Sequence, residues 1–182
     1  MTPKLHAVTS KDAYRPIMQF GLLTSEHIVV TNAIMLVAHK CKSLFDEDFI
    51  ASIPTDKAIL IPAVTLKEMN KKGVTYSLKA GEIPEMEFKL KNNSYSHKLE
   101  YDGVNNTFPK WEVVIPEKFE EEMGQIIAFN ASMLSTIQQA INPDNEIVHL
   151  RSSGAYRAIG VFDATDTYKG CRAILMPCEI KM

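Results

Sequence analysis

The side chains able to act as nucleophiles, acid–base groups or metal ligands are few in this sequence and do not cluster. The five histidines, His6, His27, His39, His97 and His149, show neither an HxH nor an HExxH spacing. They therefore read as core or solvated residues rather than a metal set. Cys41, Cys171 and Cys178 lie far apart without a CxxC pair, which fits neither a disulfide framework nor a zinc site. None belongs to an obvious Cys–His or Cys–Asp motif that would activate a thiolate. GxGxxG, P-loop and GxSxG patterns are absent from the sequence. The acidic run Glu117–Glu122 reads as a solvated helix start rather than a ligand cluster. The residues thus point away from an enzyme, with no catalytic group, metal or cofactor expected.

Charge narrows the partners. Lysine and arginine number 20 against 22 aspartates and glutamates, so the net charge is -2. A chain that neutralises many phosphates is usually strongly basic, so tight DNA binding by a single copy is not expected. With 182 residues, 46% hydrophobic and 23% charged, the chain can bury the core of one large or two small domains. No apolar run approaches the roughly 20 residues of a membrane span, and the first residues carry no apolar signal core. A cytoplasmic protein with free thiols is the expectation.

The elements that must position any site follow from periodicity. Residues 17–23 and 27–38 are rich in apolar and β-branched residues, and Thr24–Glu26 between them reads as a hairpin turn. Lys40–Lys57 reads as a polar connection with a short strand. Ala58–Pro62 is a strand leading into a helix over Ala63–Lys72, where Val64, Leu66 and Met69 mark the apolar face and Gly73 follows the end. Val74–Ala80, Met86–Lys91 and Tyr95–Asp102 alternate as strands, with turns at Gly81, Asn92–Asn93 and Gly103. The same order then recurs. Ile126–Phe129 is a strand and Asn130 caps a helix over Ala131–Ile141, whose face is Met133, Leu134, Ile137 and Ile141. Strands follow over Glu146–Arg151, Ala155–Asp163 and Cys171–Ile180, with Asp166–Gly170 as a tight connection. A repeated strand, helix, three-strand unit without a Gly/Ser linker predicts copies that share continuous sheets.

Three segments in order resemble the bacterial DNA polymerase III beta subunit, the DNA sliding clamp. Val30–Ala38 (VTNAIMLVA) is similar to a clamp motif Ala-Thr-Asp-Gly-His-Arg-Leu-Ala, with Ala33, Ile34 and Met35 in place of Gly, His and Arg. Tyr101–Pro116 (YDGVNNTFPKWEVVIP) carries the Phe-Pro, aromatic, Val-Ile-Pro stretch at Phe108, Pro109, Trp111, Val114, Ile115 and Pro116. Ala173–Ile180 (AILMPCEI) has the Met-Pro with which clamps close, at Met176 and Pro177, followed by Cys178 and Glu179 where Met and Arg are usual.

The resemblance implies an α+β, clamp-like fold of repeated strand, helix, three-strand modules, with antiparallel sheets and helices packed on one face. It divides the chain into a clamp-like domain over residues 1–116, its first module lacking a helix, and a C-terminal half-domain over residues 117–182. It also implies a hydrophobic peptide-binding pocket lined by Thr31, Ala33, Leu36, Pro109, Val114, Ile174, Met176, Pro177 and Cys178. Short motifs from polymerase, clamp-loader or repair proteins would dock there. Loss of the His and Arg equivalents removes polar rim contacts, and Glu179 is expected to reject acidic peptides. Lys67, Lys71 and Lys72 on the first helix are the residues that would face double-stranded DNA, although Ala131–Ile141 carries no Lys or Arg. A ring of roughly twelve modules needs a homo-oligomer, because this chain has room for about three. Two functions follow: a processivity-factor-like clamp, or a non-encircling adaptor or decoy that captures clamp-interaction peptides.

Overall fold

A computed structural model describes residues 3–116, 129–152, 158–165 and 171–177. Its strands are β1 (Phe20–Leu23), β2 (His27–Thr31), β3 (Met35–Lys40), β4 (Ile59–Pro62), β5 (Val74–Lys79), β6 (Glu85–Leu90), β7 (Asn93–Lys98), β8 (Glu100–Tyr101), β9 (Val148–Ser152), β10 (Ile159–Asp163) and β11 (Arg172–Leu175). The α-helices are α1 (Glu47–Ala51), α2 (Ala63–Met69) and α3 (Ala131–Ile141). An eight-stranded antiparallel sheet runs in the order β8-β4-β1-β2-β3-β11-β10-β9, and β5-β6-β7 form a separate three-stranded sheet. The expected strand at Ile126–Phe129 and the connection at Asp166–Gly170 fall wholly or largely outside the described residues.

The run 27–38 forms two strands rather than one, and side-chain chemistry at its middle explains the break. The Asn32 carboxamide oxygen accepts from the backbone N–H groups of Ile34 (3.0 Å) and Met35 (2.8 Å). Thr31 Oγ1 donates to the Met35 carbonyl at 2.8 Å and accepts from Ala33 N–H at 3.2 Å. These two residues offer the backbone a turn in place of ladder bonds. The turn requires Ala33 at φ +74°, left-handed backbone that favours glycine. The clamp motif has glycine at this place.

Other differences have equally local causes. Lys40–Lys57 holds a 3-10 turn and α1 rather than a strand, because the Asp46 carboxylate accepts from Phe49 N–H at 2.8 Å and caps the helix. Residues 17–19 belong to a 3-10 turn opened by Pro16, so β1 starts only at Phe20. Tyr95–Asp102 is split between β7 and β8, which enter different sheets. On α2 the buried face is Thr65, Leu66 and Met69, while Val64 is exposed. For α3 the expected cap forms, with Asn130 Oδ1 accepting from Ser132 N–H at 2.9 Å.

Period-two alternation gives the large sheet two apolar faces. Leu23, Ile28, Val30, Val37, Ile61, Ala173 and Leu175 join one core with Leu66 of α2 and Ile137 and Ile141 of α3. The helix α2 approaches closely at Gly21, where an added Cβ would lie 3.0 Å from Val30 Cγ1 and 3.2 Å from Leu66 Cδ1. Leu22, Val29, Leu36, Ala38, Leu60 and Ile174 point the other way and pack against Phe108 and Trp111.

One buried polar residue ties the helical layer to the sheet. His39 in β3 is fully buried, with Nε2 donating to the Ala140 carbonyl of α3 at 2.8 Å and 3.5 Å from Cys171 Sγ. Burial pushes its pKa down to about 4 against the pull of the Ala140 hydrogen bond and Asp163. The folded chain therefore holds it neutral while the unfolded chain protonates near 6.5. Stability from this residue is complete above pH 6.5 and declines as pH falls to about 4, by roughly 3 kcal/mol in total. His6 and His27, also lowered by burial, add to the same slope. Urea midpoints measured across that window are expected to fall, and His39→Gln to flatten most of the fall; an unchanged slope refutes the assignment. Ala33→Gly is expected to stabilise by about 0.5–1 kcal/mol, against the usual sign for introducing glycine, because it relieves left-handed strain. A destabilised variant in the same urea titration overturns that account.

Candidate functional site

A groove of about 280 Å³ opens where the β2–β3 turn, the end of β11 and the segment after β8 meet. The ladder explains the first two contributions. Leu36 of β3 pairs with Ile174 of β11, and the ladder continues beyond β11 through Met176 N–H donating to the Ile34 carbonyl at 3.1 Å. Directly paired residues share a face, so Leu36 and Ile174 form the floor while Ile34 and Met176 stand at the rim.

The third contribution is a loop pinned by its own polar groups. Asp102 N–H donates to the Ala58 carbonyl at 2.9 Å, and Asp102 Oδ1 accepts from Phe108 N–H at 2.6 Å. Gly103, at φ +85°, turns the chain back. Phe108 and Trp111 are thereby seated against Leu22, Val29 and Ile174, and Trp111 meets the His27 ring at 5.4 Å between centroids. A 3-10 turn over Glu112–Val114 then presents Val114 to the groove.

Thr31, Ala33, Leu36, Pro109, Val114, Ile174 and Met176 all line this groove. Pro177 is half-buried and follows Met176 without lining it. Cys178 and Glu179 lie outside the described residues. Met18, Ile34, Met35, Lys110 and Trp111 complete the wall. Trp111 was visible within its motif, and Ile34 and Met35 stood where polar residues are usual; nothing in the sequence flags Met18, which arrives through the Pro16–Gln19 turn.

Chemically the groove is apolar. Ile34, Val114 and Met176 are 43%, 49% and 40% exposed, an unusual concentration of apolar surface around one concavity. Both bonding functions of the Thr31 hydroxyl are engaged in the turn, so Thr31 contributes its methyl group rather than a polar contact. Among the described residues Lys110 is the one charged residue in the lining.

The lysines occupy a different place. Lys67 is exposed on α2, and Lys71 and Lys72 follow it, on the helix-covered side of the sheet. Lys71 Nζ lies 2.7 Å from Glu68 Oε1, whose other oxygen accepts from Tyr95 Oη at 2.7 Å. These hydrogen bonds hold the Glu68 carboxyl below, and the Lys71 ammonium above, their ordinary ranges. Burial pushes the Cys41 thiol up to about 12 and the Cys171 thiol higher still, so neither supplies a thiolate near neutrality. Among the described residues no three His, Cys, Asp or Glu side chains gather as a metal set, and no helix is long and apolar enough to cross a membrane.

No family model matches the sequence, and neither does any curated protein. Solved structures do match. The C. crescentus beta sliding clamp aligns with TM-score 0.71 and 15% identity over 97% of this chain and 61% of its own. DNA polymerase III subunit beta from Borrelia burgdorferi gives 0.69 and 10% over 98% of this chain and 61% of its own. The beta subunit from Streptococcus pyogenes gives 0.69 and 12%, covering 97% and 63%. The chain thus spans 61–63% of the length of these proteins. Agreement at that TM-score and so little identity is agreement of fold, and the chain has the bacterial sliding-clamp fold.

Proposed function

We propose that the protein is a clamp-like tether that captures short linear peptides of polymerase, clamp-loader or repair proteins in the groove. The observation that carries this reading is the ring of exposed Ile34, Val114 and Met176 above a floor of Leu36 and Ile174. The similar C. crescentus beta sliding clamp adds support, since its structure holds PEG at the region assigned to beta-motif tethering. The role is non-enzymatic and cytoplasmic. Pro177 and Cys178 would extend the wall. Residues 1–116 act as one clamp-like domain, and 117–182 as a half-domain joined to it through the β3–β11 ladder.

A second reading, an adaptor or decoy that does not encircle DNA, is favoured by one feature of the helical side. Lys71 is already bound to Glu68 and α3 carries no charged residue at all; among the described residues Lys67, Lys72 and Lys4, whose Nζ donates to Gln139 Oε1 of α3 at 3.1 Å, are left as basic groups on that side. Such a lining gives weak attraction for phosphates. Encirclement would require a homo-oligomer held on double-stranded DNA mainly by topology.

Both readings predict the same pocket behaviour. Met176→Glu and Val114→Glu, each at an exposed rim position, are expected to weaken binding of a fluorescein-labelled Leu/Phe-containing peptide at least about tenfold in anisotropy titrations. Unchanged affinity in both variants refutes the groove as a peptide site. Sedimentation then separates the two: a discrete closed multimer supports the clamp, and a peptide-binding monomer supports the adaptor.

A further inference from the structure

A second concavity of about 440 Å³ adjoins the groove, and Ile174 lines both. Its lining differs in kind, with Arg151, Arg172 and Glu112 around Phe162, Ile115 and Ala173. The sheet register produces this arrangement. Leu36 pairs with Ile174, Ile174 with Gly160, and Gly160 with Arg151, so the four form one row on one face. Arg172 lies two residues from Ile174 along β11 and Phe162 two from Gly160 along β10, which puts both on that face. The row is apolar at Leu36 and Ile174, bare at Gly160 and cationic at Arg151.

The two guanidinium groups are free to take an anion. Arg151 stands 5.5 Å from the Phe162 ring centroid, a cation–π contact that orients the fork without consuming its N–H edges. Among the described residues neither arginine has a carboxylate within ion-pair distance, Glu112 included. Two arginines against one glutamate among the described lining residues leave the concavity net cationic in a chain of net charge -2, which favours an anionic partner.

We propose that this concavity is an acidic subsite of the groove, in which a carboxylate of the docked peptide binds between Arg151 and Arg172. Resting on the peptide reading above, it fixes where the acid must lie. Arg172 is about 6.6 Å from Ile174 along the strand and Arg151 about 9.5 Å across two strand spacings, so an extended peptide needs its acid about two to three residues from the apolar anchor. Duplex DNA is a polyanion of the same charge, but the subsite is continuous with the apolar groove through Ile174 and lies on the opposite face from α2 and α3. This preference is also opposite to the rejection of acidic peptides expected from Glu179.

The test uses the full chain and two labelled peptides with identical Leu and Phe anchors, one flanked by Asp-Asp and the other by Asn-Asn. Wild type is expected to bind the Asp peptide about tenfold more tightly at low salt, with the margin shrinking as salt rises. In Arg151→Ala/Arg172→Ala the ratio should fall to about one while the Asn peptide binds as before. Arg172→Gln, which keeps a polar stem, gives the intermediate ratio and serves if the double variant fails to fold. A ratio near one in wild type with normal Asn-peptide binding overturns the subsite alone. So does a ratio that survives the double substitution, or a double variant that loses a labelled duplex oligonucleotide but keeps its peptide preference. If neither peptide binds wild type, the groove reading fails and the subsite falls with it.

Discussion

The antiparallel pairing of β3 with β11 is the contact on which the rest depends. Four residue pairs, Arg172 with Ala38, Ala173 with Val37, Ile174 with Leu36 and Leu175 with Met35, join strands separated by more than half of the chain. Without them β9, β10 and β11 would be a separate small sheet with an exposed edge. Because side chains alternate with period two, this one register also decides what faces what. Val37 and Leu175 go to the helical core, while Leu36 and Ile174 go to the groove. A slip of one residue would exchange the two sets and leave α3 packed on the wrong face.

His39 shows how the same pairing constrains the helical layer. It lies in β3, bonds the Ala140 carbonyl near the end of α3, and meets Cys171 just before β11. Beyond that helix end Asn142 and Asn145 reach the Asp163 carboxylate, at 3.1 Å and 3.0 Å. Burial alone would raise the Asp163 pKa, but these hydrogen bonds and those from Thr165 hold it down to about 2. Its contribution is therefore present above the ordinary carboxylate range and lost as pH falls toward 2, below the window in which His39 acts.

Legibility in the sequence followed the range of the interactions involved. The Asn130 cap, the α3 face and the alternation of Tyr76 and Leu78 against Met86 and Phe88 were readable because each depends on neighbours a few residues away. The break at Asn32 was equally local, yet it was hidden inside a continuous apolar run, where turn chemistry competes with strand propensity. The helix α1 capped by Asp46 was missed because the surrounding segment is polar and short, and reads as a connection. Exposure of Val64 was not readable, since the buried face of so short a helix is set by the sheet beneath it. For the groove, the motifs indicated floor and wall residues, while Met18 and the arginine row depend on sheet order that no local pattern encodes.

The apolar side chains of the groove's floor and rim answer to different constraints. Leu36, Ile174 and Trp111 belong to the second core cluster, so folding alone accounts for them, whether or not a ligand exists. The rim is another matter. Ile34, Val114 and Met176 gain little from folding, being 43%, 49% and 40% exposed, and a polar residue at each would suit an isolated sheet at least as well. The hairpin that places Ile34 even accepts left-handed backbone at Ala33. Apolar exposure gathered around one concavity therefore marks the rim, rather than the floor, as the part of the groove that core packing does not account for.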